Sequence, residues 1–356
     1  MQTPIADEAG TGPVQNIETS PVREFPPLLD LRHVSVDFER PMTARSALEW
    51  ARGHAATPRP SPVRAVDDVS ITIGEGEIVG LVGESGCGKS TLGRVAVGLQ
   101  RATRGARLLR GEHLDSLGHR EARARQLQLQ MVFQDPYASL NPRLRVLDLI
   151  GEAPVTHGIV AKADQRGYVA ELLERVGLQP GMATRFPHEF SGGQRARIGI
   201  ARALAVNPAF IVCDEAVAAL DVSVQSQVLN LFTSLRDRLG LSYLFVSHNL
   251  AVVNHMADRV AVMYLGRLIE SAPARSLFRA PAHPYTQALL AEAPTLKAQK
   301  RKFIPIRGEM PSPLSPPSGC HFHPRCPHAM PRCSQEIPRL RSIAAGHATA
   351  CHLYSD

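Results

Sequence analysis

The chain has 356 residues, is 44% hydrophobic and 21% charged, and carries a formal net charge of +7, a composition that supports one large buried core with an appendage. It shows no apolar run of roughly 18 residues and no basic-then-apolar leader, so neither a membrane-spanning helix nor a signal peptide is expected and a cytosolic protein is. Only five of the 40 basic residues are lysines, and scattered arginines with 5% aromatics argue against a nucleic-acid surface.

Residues 1–27 lack periodicity and are expected to form a disordered tail. From Leu29 the stretch "LLDLRHVSVDF" alternates as a strand does, and "VSITIGEGEIVGLVGESG" holds two more strands around a Gly-Glu-Gly turn. Residues 39–62 form a polar, Pro-rich insertion with the only tryptophan, Trp50, expected as a surface loop. A helix runs from Ser90 to Leu99, and a strand ends in "LQMVFQD". Residues 136–190 carry helical patterns such as "YVAELLERVGL" and no strand. A helix after "SGGQ", a strand "FIVCDE", a helix over 222–239, a strand "YLFVSH" and a last alternation to Ala272 follow. Such alternation predicts a largely parallel α/β sheet with a helical subdomain inserted at about 136–190.

The segment "GESGCGKST", comprising Gly83, Glu84, Ser85, Gly86, Cys87, Gly88, Lys89, Ser90 and Thr91, fits G-x-x-x-x-G-K-[ST] between a strand and a helix. Its glycines let backbone N–H groups wrap phosphates. Lys89 would reach the β- and γ-phosphates, and Ser90 would bind Mg²⁺. The strand "AFIVCDE" ends in Asp214, a second Mg²⁺ ligand, and Glu215, placed to orient or deprotonate a water. Gln134 and His248 stand at other strand ends. Each alone reads as a loop residue, but in an open α/β sheet the carboxyl ends of strands converge on ligands, and together they suggest phosphate and water sensors. Ser191, Gly192 and Gly193 precede a helix, as an N-cap or a second anion site. Two phosphate sites in one chain are reconciled if two chains meet head to tail.

These motifs, in this order, resemble the ATP-binding cassette (ABC) ATPases: "GESGCGKST" as Walker A, Gln134 as the Q-loop, "SGGQ" as the signature, "VCDE" as Walker B, "AALD" as the D-loop and His248 as the switch histidine. The resemblance spans roughly residues 29–275. It implies the P-loop NTPase fold of that family, an α/β RecA-like core with an antiparallel β subdomain and an inserted helical subdomain. It also implies ATP and Mg²⁺ as ligands, with Ser90, Gln134 and Asp214 about the metal, Phe38 stacked on adenine, and Ser191, Gly192, Gly193, Gln194 and Asp221 touching ATP bound to a partner cassette. Phe190 stands where leucine is common before the signature serine, and "DEAVAALD" replaces the frequent "DEPTSALD"; neither change removes a phosphate-contacting group. Glu215, Gln134 and His248 are all present, as hydrolysis requires.

With one P-loop and no fused membrane span, the resemblance implies a separate ATPase subunit: a peripheral protein on the cytoplasmic face of the inner membrane, working with a second ABC ATPase (a heterodimer), two transmembrane permeases and an extracytoplasmic solute-binding protein, and not with nucleic acid. "RAPAHPYTQALLAEAP" and the Cys-rich tail resemble the oligopeptide/dipeptide and nickel importer ATPases, and "GESGCGKSTLGR" the F-type member of the pair. The competing reading is a soluble or regulatory ABC ATPase not coupled to transport.

Cys320, Cys326, Cys333 and Cys351 are spaced C-x₅-C-x₆-C-x₁₇-C, wider than zinc or iron–sulfur motifs usually begin. A reducing compartment argues against disulfides. Spacing leaves three readings open: an iron–sulfur cluster, zinc with a histidine replacing a thiol, or free thiols. Related peptide-importer ATPases carry a [4Fe-4S] cluster on this tail, and the resemblance favours it. With little apolar content of its own, the region from 281 to 356 is expected to be an appendage stapled by that metal.

Overall fold

The computed structural model describes residues 25–39, 62–135, 137–292 and 308–354. Most of the expected N-terminal tail and the 40–61 portion of the insertion, with Trp50, lie outside the described residues. At the start of the described part, the Pro26 carbonyl accepts the Glu75 N–H at 2.7 Å.

Two sheets organise the molecule. Strands β1 (Pro27–Phe38), β2 (Val63–Gly74), β4 (Arg104–Leu109) and β5 (Glu112–His113) form an antiparallel sheet in the order β2-β1-β4-β5. The larger sheet includes β3 (Ile78–Val82), β6 (Leu129–Val132), β7 (Phe210–Asp214), β8 (Ser242–Val246), β9 (Arg259–Tyr264) and β10 (Arg267–Pro273). It ends in β11 (Arg341–Ala344) and β12 (His347–Thr349), giving the order β11-β12-β10-β9-β3-β8-β7-β6.

From β9 to β6 the strands are parallel. Every residue of β3, β7 and β8 is buried, as expected of strands covered on both faces, which read as continuous apolar runs such as IVGLV. One apolar cluster fills the space between the two sheets and includes Leu29, Leu31, Val66, Ile71, Val79 and Leu81. Another lies on the opposite face, where α5 (Gly192–Leu204) and α6 (Val222–Leu239) pack against the sheet and α3 (Val146–Thr156) and α4 (Gln165–Arg175) pack on α5, through residues such as Ile200, Phe232, Ile150 and Leu172. The remaining helices are α1 (Lys89–Ala96), α2 (His119–Leu127), α7 (Leu250–Met256), α8 (Ala274–Arg279), α9 (Pro284–Glu292) and α10 (Pro331–Gln335). Among the described residues no helix is long and apolar enough to cross a membrane.

The expected alternation matches the parallel core, and the helix expected over 222–239 has those bounds. Unanticipated are β4, β5 and α2. The sequence of α2, HREARARQL, has no apolar stripe to announce a helix.

The C-terminal region is also more integrated than an appendage. Strand β12 pairs antiparallel with β10, extending the main sheet, and Phe322 joins Tyr264 and Tyr285 in a third apolar cluster. The junction is polar and buried. Glu270 on β10, fully buried, accepts the backbone N–H groups of Ala282 (2.7 Å) and His283 (2.9 Å) and is paired with His347 Nε2 (2.7 Å). Burial alone would raise this carboxyl, but those hydrogen bonds outweigh it and hold it below 4.5.

His283 lies beside it, 1% exposed. Its Nδ1 accepts the Tyr285 N–H at 3.0 Å, and among the described residues its Nε2 has no hydrogen-bond partner. Burial, partly offset by the Glu270 charge, pushes this imidazole down from 6.5 to about 4. Between those values the unfolded chain holds a proton that the folded chain does not, so stability falls as pH falls through this window, by roughly 3 kcal/mol if the site alone titrates. Thermal unfolding midpoints measured from neutral pH to about pH 4.5 should show this decline, and His283→Asn, which keeps an acceptor for Tyr285, should flatten it.

Candidate nucleotide site

The P-loop leaves β3 and enters α1. Two glycines in it are required by close approach: a Cβ on Gly83 would lie 2.2 Å from the Met263 carbonyl oxygen, and one on Gly88, whose φ is +105°, 2.1 Å from that of Ala65. Strands β9 and β2 thus press on the loop from outside and fix its curvature. Lys89, 5% exposed, folds back so that its Nζ donates to the carbonyls of Gly83 (2.8 Å) and Glu84 (2.9 Å). The curved backbone, the start of α1 and this lysine make a cradle for phosphates.

Ser90 Oγ donates to Asp214 Oδ1 at 2.8 Å, bringing together two oxygen ligands suited to a hard divalent cation. Asp214 is 4% exposed. Burial raises its carboxyl despite the Ser90 hydrogen bond, and a cation there would reverse that shift.

Glu215 follows in left-handed backbone, φ +47°, a conformation that costs a side-chain-bearing residue on the order of 1 kcal/mol. Its N–H donates to the Val246 carbonyl at 3.0 Å. Its carboxylate lies between two of the expected partners: Gln134 Nε2 donates to Oε2 at 2.8 Å, and His248 Nδ1 is 3.2 Å from Oε1. Three strand ends therefore meet at one carboxylate, beside the cation ligands. The arrangement can hold a phosphate chain, a cation and an attacking water, the requirements of phosphoryl transfer to water.

The other expected contacts lie further out. Phe38 is 41% exposed at the end of β1, opposite Val63 on the strand whose Ala65 overlies Gly88. Ser191 caps α5 through a reciprocal pair, its Oγ accepting the Gln194 N–H at 3.3 Å and its own N–H donating to Gln194 Oε1 at 3.0 Å. Capping and anion binding are compatible here, because Ser191 and Gly192 remain exposed. Asp221, also exposed, begins α6 without a side-chain cap. The helical segment is tied to α5 by Arg195, which stacks over the Tyr137 ring at 4.0 Å, and by Arg202, which donates to the Ser139 carbonyl at 2.6 Å.

Of the four tail thiols, burial pushes Cys320 up to about 11 and raises Cys326 and Cys351. Backbone N–H groups of Phe322, His328 and Leu353 face those three sulfurs, and Met330 N–H lies 3.5 Å from Cys333 Sγ. Among the described residues, however, no three of His, Cys, Asp or Glu converge as ligands of one metal.

Sequence reasoning missed two residues that touch the P-loop. Tyr285 OH accepts the Glu84 N–H at 2.9 Å, and Arg325 Nη1 donates to both Glu84 carboxylate oxygens at 3.0 and 3.2 Å. Both lie some 200 residues or more along the chain from Glu84 (separations of 201 and 241), with no local signal for the contact.

The chain matches the ABC transporter family over residues 66–218 and the family described as "Oligopeptide/dipeptide transporter, C-terminal region" over residues 269–333. It is 52% identical over 296 residues, 82% of this chain and 90% of the relative, to the putative oligopeptide transport ATP-binding protein YkfD of Bacillus subtilis (strain 168). The chain belongs to the oligopeptide/dipeptide family of ABC transporter ATPases. The oligopeptide transport ATP-binding protein AppF of the same strain is 50% identical over 82% of this chain and 90% of its own length. Among solved structures, the dimeric cassette MJ0796 bound to ADP and Pi is similar with a TM-score of 0.57 at 26% identity, covering 70% of this ATPase and 99% of that chain. The cbiO1 cassette of Clostridium perfringens, at 22% identity and a TM-score of 0.58 over 72% of this chain and 92% of its own, shares the fold. Cys351 lies beyond the matched tail, which ends at Cys333.

The Gly88 contact gives a direct check of the cradle. Gly88→Ala should destabilise this ATPase by roughly 2–4 kcal/mol, through backbone strain and the clash with Ala65, and should abolish ATP binding. Thermal unfolding and calorimetric titration with ATP would measure both effects.

Proposed function

We propose that this ATPase powers import of peptides through a membrane ABC transporter. The observation that carries the mechanism is the Glu215 carboxylate held between Gln134 and His248, next to the Ser90–Asp214 pair. Lys89 and the loop N–H groups bind the phosphates, Phe38 stacks on the base, and Ser90, Gln134 and Asp214 hold Mg²⁺, which when bound neutralises charge on the phosphates. Glu215 accepts the proton of the attacking water, and His248 and Gln134 orient it.

Ser191, Gly192, Gly193, Gln194 and Asp221 cover the nucleotide of a second cassette. The exposure of Ser191, Gly192 and Asp221 supports that reading, and so does the dimeric state of the solved cassette named above. In this reading the second cassette is a different chain and this one takes the F-type place in the heterodimer. Two permeases and an extracytoplasmic binding protein complete the assembly, with this subunit peripheral on the cytoplasmic face of the membrane. The helical segment joined to Gln134 and α5 transmits closure to the permeases.

The four tail thiols hold a [4Fe-4S] cluster in this proposal. Their donor chemistry and the N–H groups facing the sulfurs support it, although the thiols still have to converge from the arrangement described above.

Glu215→Gln should lower the ATPase kcat by at least about 100-fold while ATP binding and closure of two cassettes persist; unchanged turnover would remove Glu215 as the base. In proteoliposomes holding the whole assembly, peptide uptake should require ATP and stop in this variant. Anaerobically purified protein should contain about four irons per chain, with matching sulfide, and Cys326→Ser should lose them. Stoichiometric zinc without sulfide in the unmodified protein would overturn the cluster.

A further inference from the structure

The tail reaches the phosphate-binding loop through one charged side chain. Arg325 sits between Cys320 and Cys326 in a short 3₁₀ turn, His323–Arg325. Its side chain is 8% exposed, and that of its partner Glu84 is 26% exposed. Arg325 Nη1 also donates to Tyr264 OH at 3.3 Å. Behind it, Phe322 packs edge-on against Tyr264 and Tyr285, with centroids 5.4 and 5.5 Å away, while Tyr264 and Tyr285 lie 4.7 Å apart. Tyr285 in turn takes the Glu84 N–H. Glu84 is thus held by its backbone and by its carboxylate, both times from elements built around the tail.

Glu84 matters to the loop for two reasons. Its carbonyl is one of the two on which Lys89 Nζ rests, so the position of this peptide decides where the lysine waits. Its carboxylate is an anion at the rim of a cradle for a polyanion, and a paired, mostly buried arginine cancels that charge. An unpaired carboxylate in the same place would repel the phosphates.

We propose that Arg325 is a positioning residue for nucleotide binding: it neutralises Glu84 and fixes the entry to the P-loop, making ATP affinity depend on the cysteine-bearing turn. The inference rests on the reading that this loop holds ATP. Arg325 touches no reacting atom, so its effect falls on binding.

The test uses the full chain, ATP itself as the probe, and calorimetric Kd values supported by KM and kcat. Arg325→Gln should raise Kd and KM for ATP about 5- to 10-fold, equivalent to about 1–1.4 kcal/mol of binding, with kcat at saturating ATP changed less than about twofold. Arg325→Lys, which keeps the charge, should fall between, and it carries the test if the glutamine variant does not fold. Adding Glu84→Gln to Arg325→Gln removes the unpaired anion and should bring Kd back to within about threefold of the unmodified protein, a non-additive result. A purely structural role for Arg325 would not be rescued by a change at Glu84. An unchanged Kd in Arg325→Gln, or a double variant as weak as the single, overturns the inference. Failure of the unmodified chain to bind ATP overturns the reading of the loop instead.

Discussion

The site depends on the parallel register of four adjacent strands. In the ladder Val246 of β8 lies opposite both Leu81 of β3 and Asp214 of β7, and Val132 of β6 lies opposite Cys213. The residues that follow those positions must emerge side by side at one edge of the sheet: the P-loop, His248, Glu215 and Gln134. Since β3, β7 and β8 are buried along their whole length, sliding one would carry the polar residues at its end into the core, so the register is strongly held. The chemistry inherits that rigidity.

Preorganisation goes further at Glu215. Its left-handed backbone is stabilised by the N–H bond to Val246 and by the flanking contacts of Gln134 and His248, which offset local strain. The Ser90–Asp214 hydrogen bond similarly keeps two oxygen donors together. Phosphoryl transfer needs positioning and charge stabilisation more than new bonds to the protein, and here much of the positioning resides in main-chain hydrogen bonds and in two glycines pressed by neighbouring carbonyls.

The parallel core and the residues gathered at its strand ends were legible because their signals are local. Asp214, Glu215, Gln134 and His248 each follow an apolar run and Lys89 follows a glycine-rich loop, and strand ends converge in such sheets. The antiparallel strands β4 and β5 and helix α2 were hidden because Arg-rich, largely exposed segments carry little periodicity. The tail was legible in its cysteines and illegible in its attachment. Strand β11 is short and mostly exposed, and the partner of Arg325 lies 241 residues away; contacts at that separation leave no trace in spacing.

That attachment changes what the tail is. Between α9 and the described tail lie fifteen residues, 293–307, outside the described part, yet the tail meets the core at two separate places. At the sheet edge, β12 adds to β10 and His347 pairs with buried Glu270, which also holds the start of α9 in place. At the loop, Arg325 and the Tyr264–Tyr285–Phe322 cluster grip Glu84. A segment with few large apolar residues gains its order by borrowing the core of the ATPase through these anchors, with β10 and β9 between them as a shared support. Because Met263 on β9 also shapes the loop at Gly83, the tail and the nucleotide cradle rest on the same strand, and strain in either has a short, packed route to the other.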